Sequence, residues 1–284
     1  MQGNLSIITL EDVRVHYASE GGQVRKALDG VSLTLHQGEW ISIVGANGSG
    51  KSTLAGLLIG FTPLSGGVRN ILDKLTVRGV LQQPDAQVLG DTIEEEFHFA
   101  LSPLMNTVEE QSERRQDALH TVGLHYPPDM TISQLSGGQK QLLNIAVALA
   151  AKPDVLILDE PTAMLDPGAR DRIEAIVQKI TERGTTVIWI THHLEEATLC
   201  DRIIAIERGR CVYDGEPESF FYKTAMIEKI TGENEQLTAC DRLGLDPPFT
   251  VKTALLLKQK GMRPEAMPLR PEQLAKEVAR WRSN

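Results

Sequence analysis

The sequence predicts an α/β fold: a mainly parallel sheet covered by helices, with a helical insert and a small C-terminal appendage. Three observations carry this. Short Ile- and Val-rich runs alternate with helical patterns along most of the 284 residues. The run Val155-Leu156-Ile157-Leu158 is apolar at every position, as a strand covered on both faces requires. A glycine-rich turn sits between one such run and an apolar helical stretch.

In chain order, the strands are expected at Ile7–Leu10, Val31–Leu35, Ile41–Val44, Val155–Leu158, Val187–Ile190 and Ile203–Ile206. A helix is expected over Leu54–Phe61. The stretch from about Asp91 to Gln134 reads as a helical insert. Thr92-Ile93-Glu94-Glu95 has the form of a capping box, and Thr107-Val108-Glu109-Glu110 repeats it. Ile93, Phe97 and Leu101 fall at helical spacing before Pro103 interrupts. A second face (Val108, Arg115, Ala118, Leu119, Val122) ends at Gly123, suited to a C-cap. A further helix starts near Leu135 and runs to about Ala151. The tail predicts helices over Thr250–Lys260, closed by Gly261, and from about Pro271.

Composition bounds the function. The net charge of −9 disfavours a nucleic-acid binder. The charge is uneven: residues 241–284 hold 9 Lys and Arg against 5 Asp and Glu, marking a basic tail on an acidic body. The longest apolar run, Ile145–Ala151, falls far short of a membrane span, and no leader pattern opens the chain. Cys200, Cys211 and Cys240 are too few and too scattered for a disulfide framework or a zinc site, and they fit a reducing compartment.

The glycine-rich turn is Gly45-Ala46-Asn47-Gly48-Ser49-Gly50-Lys51-Ser52-Thr53, a full match to G-x-x-x-x-G-K-[ST] in the strand-to-helix setting of a P-loop. Glycines let backbone N–H groups face phosphate oxygens, and the helix start adds the positive end of its dipole. Lys51 is expected to reach the β- and γ-phosphates and Ser52 to bind Mg2+. The strand Val155–Leu158 ends in Asp159 and Glu160, at the carboxyl edge where ligands of such sheets sit. Asp159 is expected to hold Mg2+ and Glu160 to polarise a water. Leu135-Ser136-Gly137-Gly138-Gln139 opens the buried helix and presents a second anion-binding helix start. One chain then binds two nucleotides, or shares each with a second subunit.

With these motifs in order over about residues 5–230, the sequence resembles the nucleotide-binding subunits of ATP-binding-cassette (ABC) proteins. The resemblance implies a P-loop NTPase core with an antiparallel N-terminal β region. It implies ATP and Mg2+ as ligands and a head-to-tail dimer with ATP at the interface. Leu135, Ser136, Gly137, Gly138 and Gln139 resemble the family's signature motif, which implies that Ser136 and Gly138 contact the partner's γ-phosphate. Tyr17 stands where the family stacks an aromatic ring on adenine. Gln82, with Gln83 as the competing choice, looks like the loop glutamine near Mg2+ and water. Asp166 closes a stretch, Ala163–Asp166, like the loop that crosses the dimer interface. His192 aligns with the γ-phosphate histidine, while His193 departs from the usual acidic residue. No motif position looks degenerate, so the resemblance implies an active ATPase.

Finer features resemble the ATPase subunits of energy-coupling-factor (ECF) transporters: Gln82-Gln83-Pro84-Asp85-Ala86-Gln87, Glu160–Pro167, Gly38-Glu39-Trp40 and the tail Leu243–Phe249. Ala46 departs from that group, as does the short interval of 31 positions from Lys51 to Gln82, which implies a trimmed antiparallel region. The subtype implies import of vitamins or metal ions. It implies a second ATPase subunit, identical or not, a membrane scaffold subunit and a substrate-binding membrane subunit, with no direct nucleic-acid contact. The chain would then lie peripherally on the cytoplasmic face of the cell membrane. The alternatives are the ATPase of another ABC importer or exporter, or a soluble ABC ATPase acting on nucleic acid or ribosomes. The expected division is a cassette at 1–232, with its helical subdomain at about 91–150, and a helical appendage at 233–284 that dimerises. Glu94-Glu95-Glu96 reads equally as a scaffold contact or as a solvated acidic first turn.

Overall fold

A computed structural model describes residues 5–18, 24–105, 107–228 and 234–283. Strands β1 (Ser6–Ala18) and β2 (Val24–His36) pair antiparallel. Strand β3 (Trp40–Val44) leads through the glycine-rich turn into α1 (Lys51–Ile59). Strand β4 (Gly66–Ile71) returns onto β1, making a three-stranded antiparallel sheet in the order β2-β1-β4. Strand β5 (Val77–Val80) precedes the insert of α2 (Ile93–Leu101), α3 (Val108–Val122) and α4 (Gly137–Ala150). Then follow β6 (Val155–Asp159), α5 (Pro167–Glu182), β7 (Thr186–Ile190), β8 (Arg202–Glu207) and β9 (Arg210–Gly215). The central sheet has the order β5-β6-β7-β3-β8-β9, parallel except for the β8–β9 pair. Beyond it lie α6 (Pro217–Tyr222), the antiparallel pair β10 (Ala225–Glu228) and β11 (Asn234–Leu237), α7 (Ala239–Arg242), α8 (Phe249–Gln259) and α9 (Pro271–Ser283).

The apolar strands divide by the two-residue period of a pleated sheet. Ile41, Ile43, Val155, Ile157, Ile188 and Ile190 face α1 and the antiparallel sheet. Trp40, Val44, Leu156, Leu158, Val187 and Trp189 face the second core, shared with α2–α5. Both faces are covered, so parallel strands of continuous hydrophobicity are stable here. All six expected strands are present. The apolar helix starts at Lys51 rather than Leu54, directly after Gly50, and ends at Gly60; Phe61 lies outside it and is exposed.

The insert follows its caps. Thr92 and Glu95 form a complete capping box. The repeat at Thr107 is only half made: the Thr107 hydroxyl accepts from the Glu110 N–H, without the return bond. Gly123 ends α3 at φ 76°, in the left-handed region.

The expected boundary at 232/233 lies outside the described residues. The helices beyond it share the central core: Ala239, Cys240 and Val251 are buried in the same cluster as α2–α5. The cysteines Cys200, Cys211 and Cys240 are all unpaired thiols.

Candidate functional site

The carboxyl edge of β3, β6 and β7 opens into a cleft of about 470 Å³. Its floor is the turn after β3 and the first turn of α1: Asn47, Gly48, Gly50, Lys51, Ser52 and Thr53. The turn depends on its glycines. Gly45 has φ 147°, and a Cβ there would come within 2.2 Å of the Ile206 carbonyl. Gly50 has φ 113°, and a Cβ would meet the Ala27 carbonyl at 2.5 Å. L-residues with side chains fit neither position. The Ser49 hydroxyl is buried inside the turn without a hydrogen-bond partner.

Lys51 is 5% exposed. Its ammonium donates to the carbonyls of Gly45 at 2.8 Å and Ala46 at 3.0 Å, curling the turn around it. Burial lowers its pKa, against the pull of Glu160 and Asp159. Asp159, at the end of β6, is 3% exposed, and its Oδ1 has no hydrogen-bond partner. Burial raises the pKa of this carboxyl, while the Ser52 hydroxyl favours its charged form. A buried, unpartnered carboxylate oxygen beside a hydroxyl costs stability in isolation. It is the donor type a hard cation takes through one or two carboxylates plus phosphate and water. Among the described residues no cluster of three or more His, Cys, Asp or Glu forms a metal site made by protein alone.

Glu160 leaves β6 with φ 50°, a left-handed conformation unusual outside glycine, which turns its side chain into the cleft. Gln82, in the loop after β5, donates from Nε2 to Glu160 Oε2 at 2.8 Å. His192 Nδ1, two residues past β7, stands 3.1 Å from Glu160 Oε1. Gln82, Glu160 and His192 thus meet on one wall, facing Lys51 and Ser52. The loop of Gln82 is pinned to the insert, where Asn144 of α4 donates to the Pro84 carbonyl at 3.0 Å. Lys140 also pairs with Asp85 at 2.6 Å. Gln83 does not line the cleft.

The remaining expected residues lie elsewhere. Tyr17 is half-exposed on β1 and does not line the cleft; it stands opposite Arg25 of β2, which does, together with Ala27. The strand alternation of β2 contained no signal for these two residues. Ser136 caps α4: its hydroxyl accepts from the Gln139 N–H, and its own N–H donates to Gln139 Oε1 at 2.8 Å. Ser136, Gly137, Gly138 and Gln139 are outside the cleft of their own chain. A Cβ on Gly138 would lie 2.9 Å from the Met164 carbonyl, so the helix start packs against the loop ending at Asp166. Asp166 caps α5, accepting from the Ala169 N–H at 3.0 Å.

The acidic triplet divides: Glu94 and Glu95 are exposed, and Glu96 is buried. Glu96 is buried and accepts from the Leu89 and Gly90 N–H groups, each at 2.8 Å. Glu95 completes the capping box, and Glu94 pairs with Arg115 at 3.1 Å. The three carboxylates fold the loop before α2 and tie α2 to α3. Glu94 and Glu95 keep the character of a solvated acidic first turn, and Glu96 departs from it.

A family profile described as ABC transporter matches residues 28–163. The chain is 39% identical to the energy-coupling factor transporter ATP-binding protein EcfA1 of Bacillus subtilis (strain 168), over 96% of both chains. It is 40% identical to energy-coupling factor transporter ATP-binding protein EcfA of Enterococcus faecium, over 90% of this chain and 91% of the other. Among solved structures it resembles cbiO1 from Clostridium perfringens, described as part of the ABC transporter complex cbiONQ. The TM-score is 0.65 at 30% identity, over 77% of this chain and 91% of that one. It also resembles the dimeric, post-hydrolysis state of the ATP-binding cassette MJ0796 bound to ADP and Pi, with a TM-score of 0.69 at 28% identity. That match spans 74% of this chain and 99% of the other.

Proposed function

This chain belongs to the family of energy-coupling factor transporter ATP-binding proteins, ATPase subunits of the ABC class, and we propose how its residues divide the work. The observation that carries the reading is the convergence of Lys51, Ser52, Gln82, Asp159, Glu160 and His192, from separate segments, at one sheet edge.

Phosphoryl transfer to water calls for placement and charge neutralisation more than covalent chemistry. Backbone N–H groups from Gly45 to Thr53, including those of Asn47, Gly48, Ser49 and Gly50, cradle the β- and γ-phosphates. Lys51 turns its ammonium from its own turn's carbonyls to the phosphate oxygens. Ser52 and Asp159, with Gln82 nearby, would hold Mg2+, which would supply charge neutralisation for the nucleotide's phosphates. Glu160 orients the attacking water and takes its proton, and Gln82 and His192 fix the carboxylate's direction. His192 also meets the γ-phosphate. Tyr17 stacks on adenine from the rim beside Arg25.

Ser136, Gly137, Gly138 and Gln139 lie outside their own chain's cleft, which supports a head-to-tail arrangement in which they close the ATP site of a second ATPase subunit, with Asp166 at the crossing. The dimeric form of MJ0796 supports this assembly. No helix among the described residues is long and apolar enough to cross a membrane. We assign the membrane spans to a scaffold subunit and a substrate-binding subunit, with this chain peripheral on the cytoplasmic face; the cbiONQ transporter complex that includes cbiO1 supports such an assembly. The residues 233–284, sharing the core through α7 and α8, extend the cassette and serve the contact between ATPases. Vitamins or metal ions are the cargo class we assign.

The test is mild-detergent extraction of the tagged chain, identification of its co-purifying proteins, and ATP hydrolysis by the complex in vesicles. The reading expects integral membrane partners and hydrolysis that depends on them. ATPase activity stimulated by RNA or DNA, with no membrane partner, contradicts it.

A further inference from the structure

Glu196 is 5% exposed and lies outside the cleft, in a short turn four residues after His192. One carboxylate oxygen accepts from the hydroxyl of Thr162, two residues after Glu160 and 1% exposed. The other accepts from Trp189 Nε1 of β7 at 2.9 Å. The Glu196 N–H donates to the His193 carbonyl at 3.1 Å, closing the turn that carries His192. We infer that Glu196 is a positioning residue for ATP hydrolysis, bolting the loop of Glu160 to the segment of His192 through Thr162.

Burying a carboxylate is unfavourable even when it is hydrogen-bonded, and an apolar side chain of similar volume would pack here at lower cost. The carboxylate does what an apolar group cannot: it accepts one bond from each of two segments. Those segments need a fixed separation. Glu160 holds a left-handed φ of 50°, and its N–H donates to the Ile190 carbonyl at 2.9 Å. Its loop closes through Ala163 N–H to Glu160 carbonyl at 3.3 Å and Leu165 N–H to Thr162 carbonyl at 3.0 Å. Those bonds set the loop's shape, while the Thr162 hydroxyl joins it by side chain to the turn after His192. The consequence falls on the 3.1 Å approach of His192 Nδ1 to Glu160 Oε1. A displacement of about 1 Å at such a contact costs on the order of 100-fold in rate.

The inference rests on the ATPase reading, and its test keeps the two apart. Steady-state Mg2+-ATP hydrolysis by the complex with its co-purifying membrane partners is measured, with kcat and KM separated, for wild type, Thr162→Val, Thr162→Ser and Glu196→Gln. Melting temperature is followed in parallel. Valine keeps the shape of Thr162 and removes the hydroxyl. Glutamine keeps the bolt, since its oxygen takes the Trp189 N–H and its amide donates to the Thr162 hydroxyl, which also accepts. The expected result is a kcat at least tenfold lower in Thr162→Val with KM within twofold. Thr162→Ser and Glu196→Gln stay within threefold of wild type. A Thr162→Val chain that melts lower yet turns over at the wild-type kcat makes the bond structural only and overturns the inference. So does a kcat loss that Thr162→Ser shares. A wild-type complex, partners included, that binds ATP and never hydrolyses it overturns the ATPase reading, and this inference with it.

Discussion

Gln82 Nε2 donates to Glu160 Oε2 at 2.8 Å, although the two residues are 78 positions apart. The bond crosses from the loop after β5 to the end of β6, neighbouring strands of the central sheet. It makes the direction of the Glu160 carboxylate depend on a loop that is itself pinned to α4 by Asn144 and Lys140. The loop thereby links the helical insert to the carboxylate we assign to orient water. Replacing Gln82 by Ala removes this tie without touching the phosphate turn. Steady-state kinetics should show kcat at least tenfold lower, about 1.4 kcal/mol of transition-state stabilisation, with KM for ATP within threefold of wild type.

Asp159 sets stability against function. Its Oδ1 is buried without a partner, and burial raises its pKa. Asp159→Asn removes that buried charge, so without nucleotide the variant should melt at the wild-type temperature or above it. Its Mg2+-dependent hydrolysis should fall at least 100-fold. Chelating Mg2+ with EDTA should stop hydrolysis by the wild type, and excess Mg2+ should restore it.

Glu174 of α5 predicts a pH dependence of stability. Its pKa is raised to about 7, first by burial, then by the negative charges of Glu196 and Asp171, against Arg270 and Arg170. A carboxyl with a raised folded pKa stabilises the fold most below its unfolded pKa of about 4.5, where both states hold the proton. That contribution is lost as pH rises through about 7, because the folded state must then bear the charge. Glu174→Gln should therefore match wild type near pH 4.5 and melt about 2 °C or more higher at pH 8. Thermal melts at the two pH values check this; an equal difference at both contradicts it.

Much of the site was legible in the order of residue types along the chain. Val155–Leu158 had to be covered on both faces, so its carboxyl end placed Asp159 and Glu160 at a sheet edge. The glycines at 45 and 50 were needed because backbone from β2 and β8 crowds them. Other features depend on tertiary contacts that no local pattern encodes. Strands β4 and β9 pass through half-exposed, glycine-containing stretches with no apolar alternation to mark them. Glu96 resembled its two acidic neighbours until the backbone of Leu89 and Gly90 folded over it. Arg25 reaches the cleft because β2 pairs with β1 in a register that local pattern does not set. Thr162 and Glu196 meet across 34 positions through a side-chain bond that only the assembled sheet allows.

The central claim is that Glu160, held between Gln82 and His192, orients and deprotonates the attacking water. Its most direct test is single-turnover ATP hydrolysis by Glu160→Gln beside an equilibrium measurement of ATP binding. The account predicts hydrolysis at least 100-fold slower than wild type, with ATP affinity within threefold. Hydrolysis at the wild-type rate in that variant would contradict it.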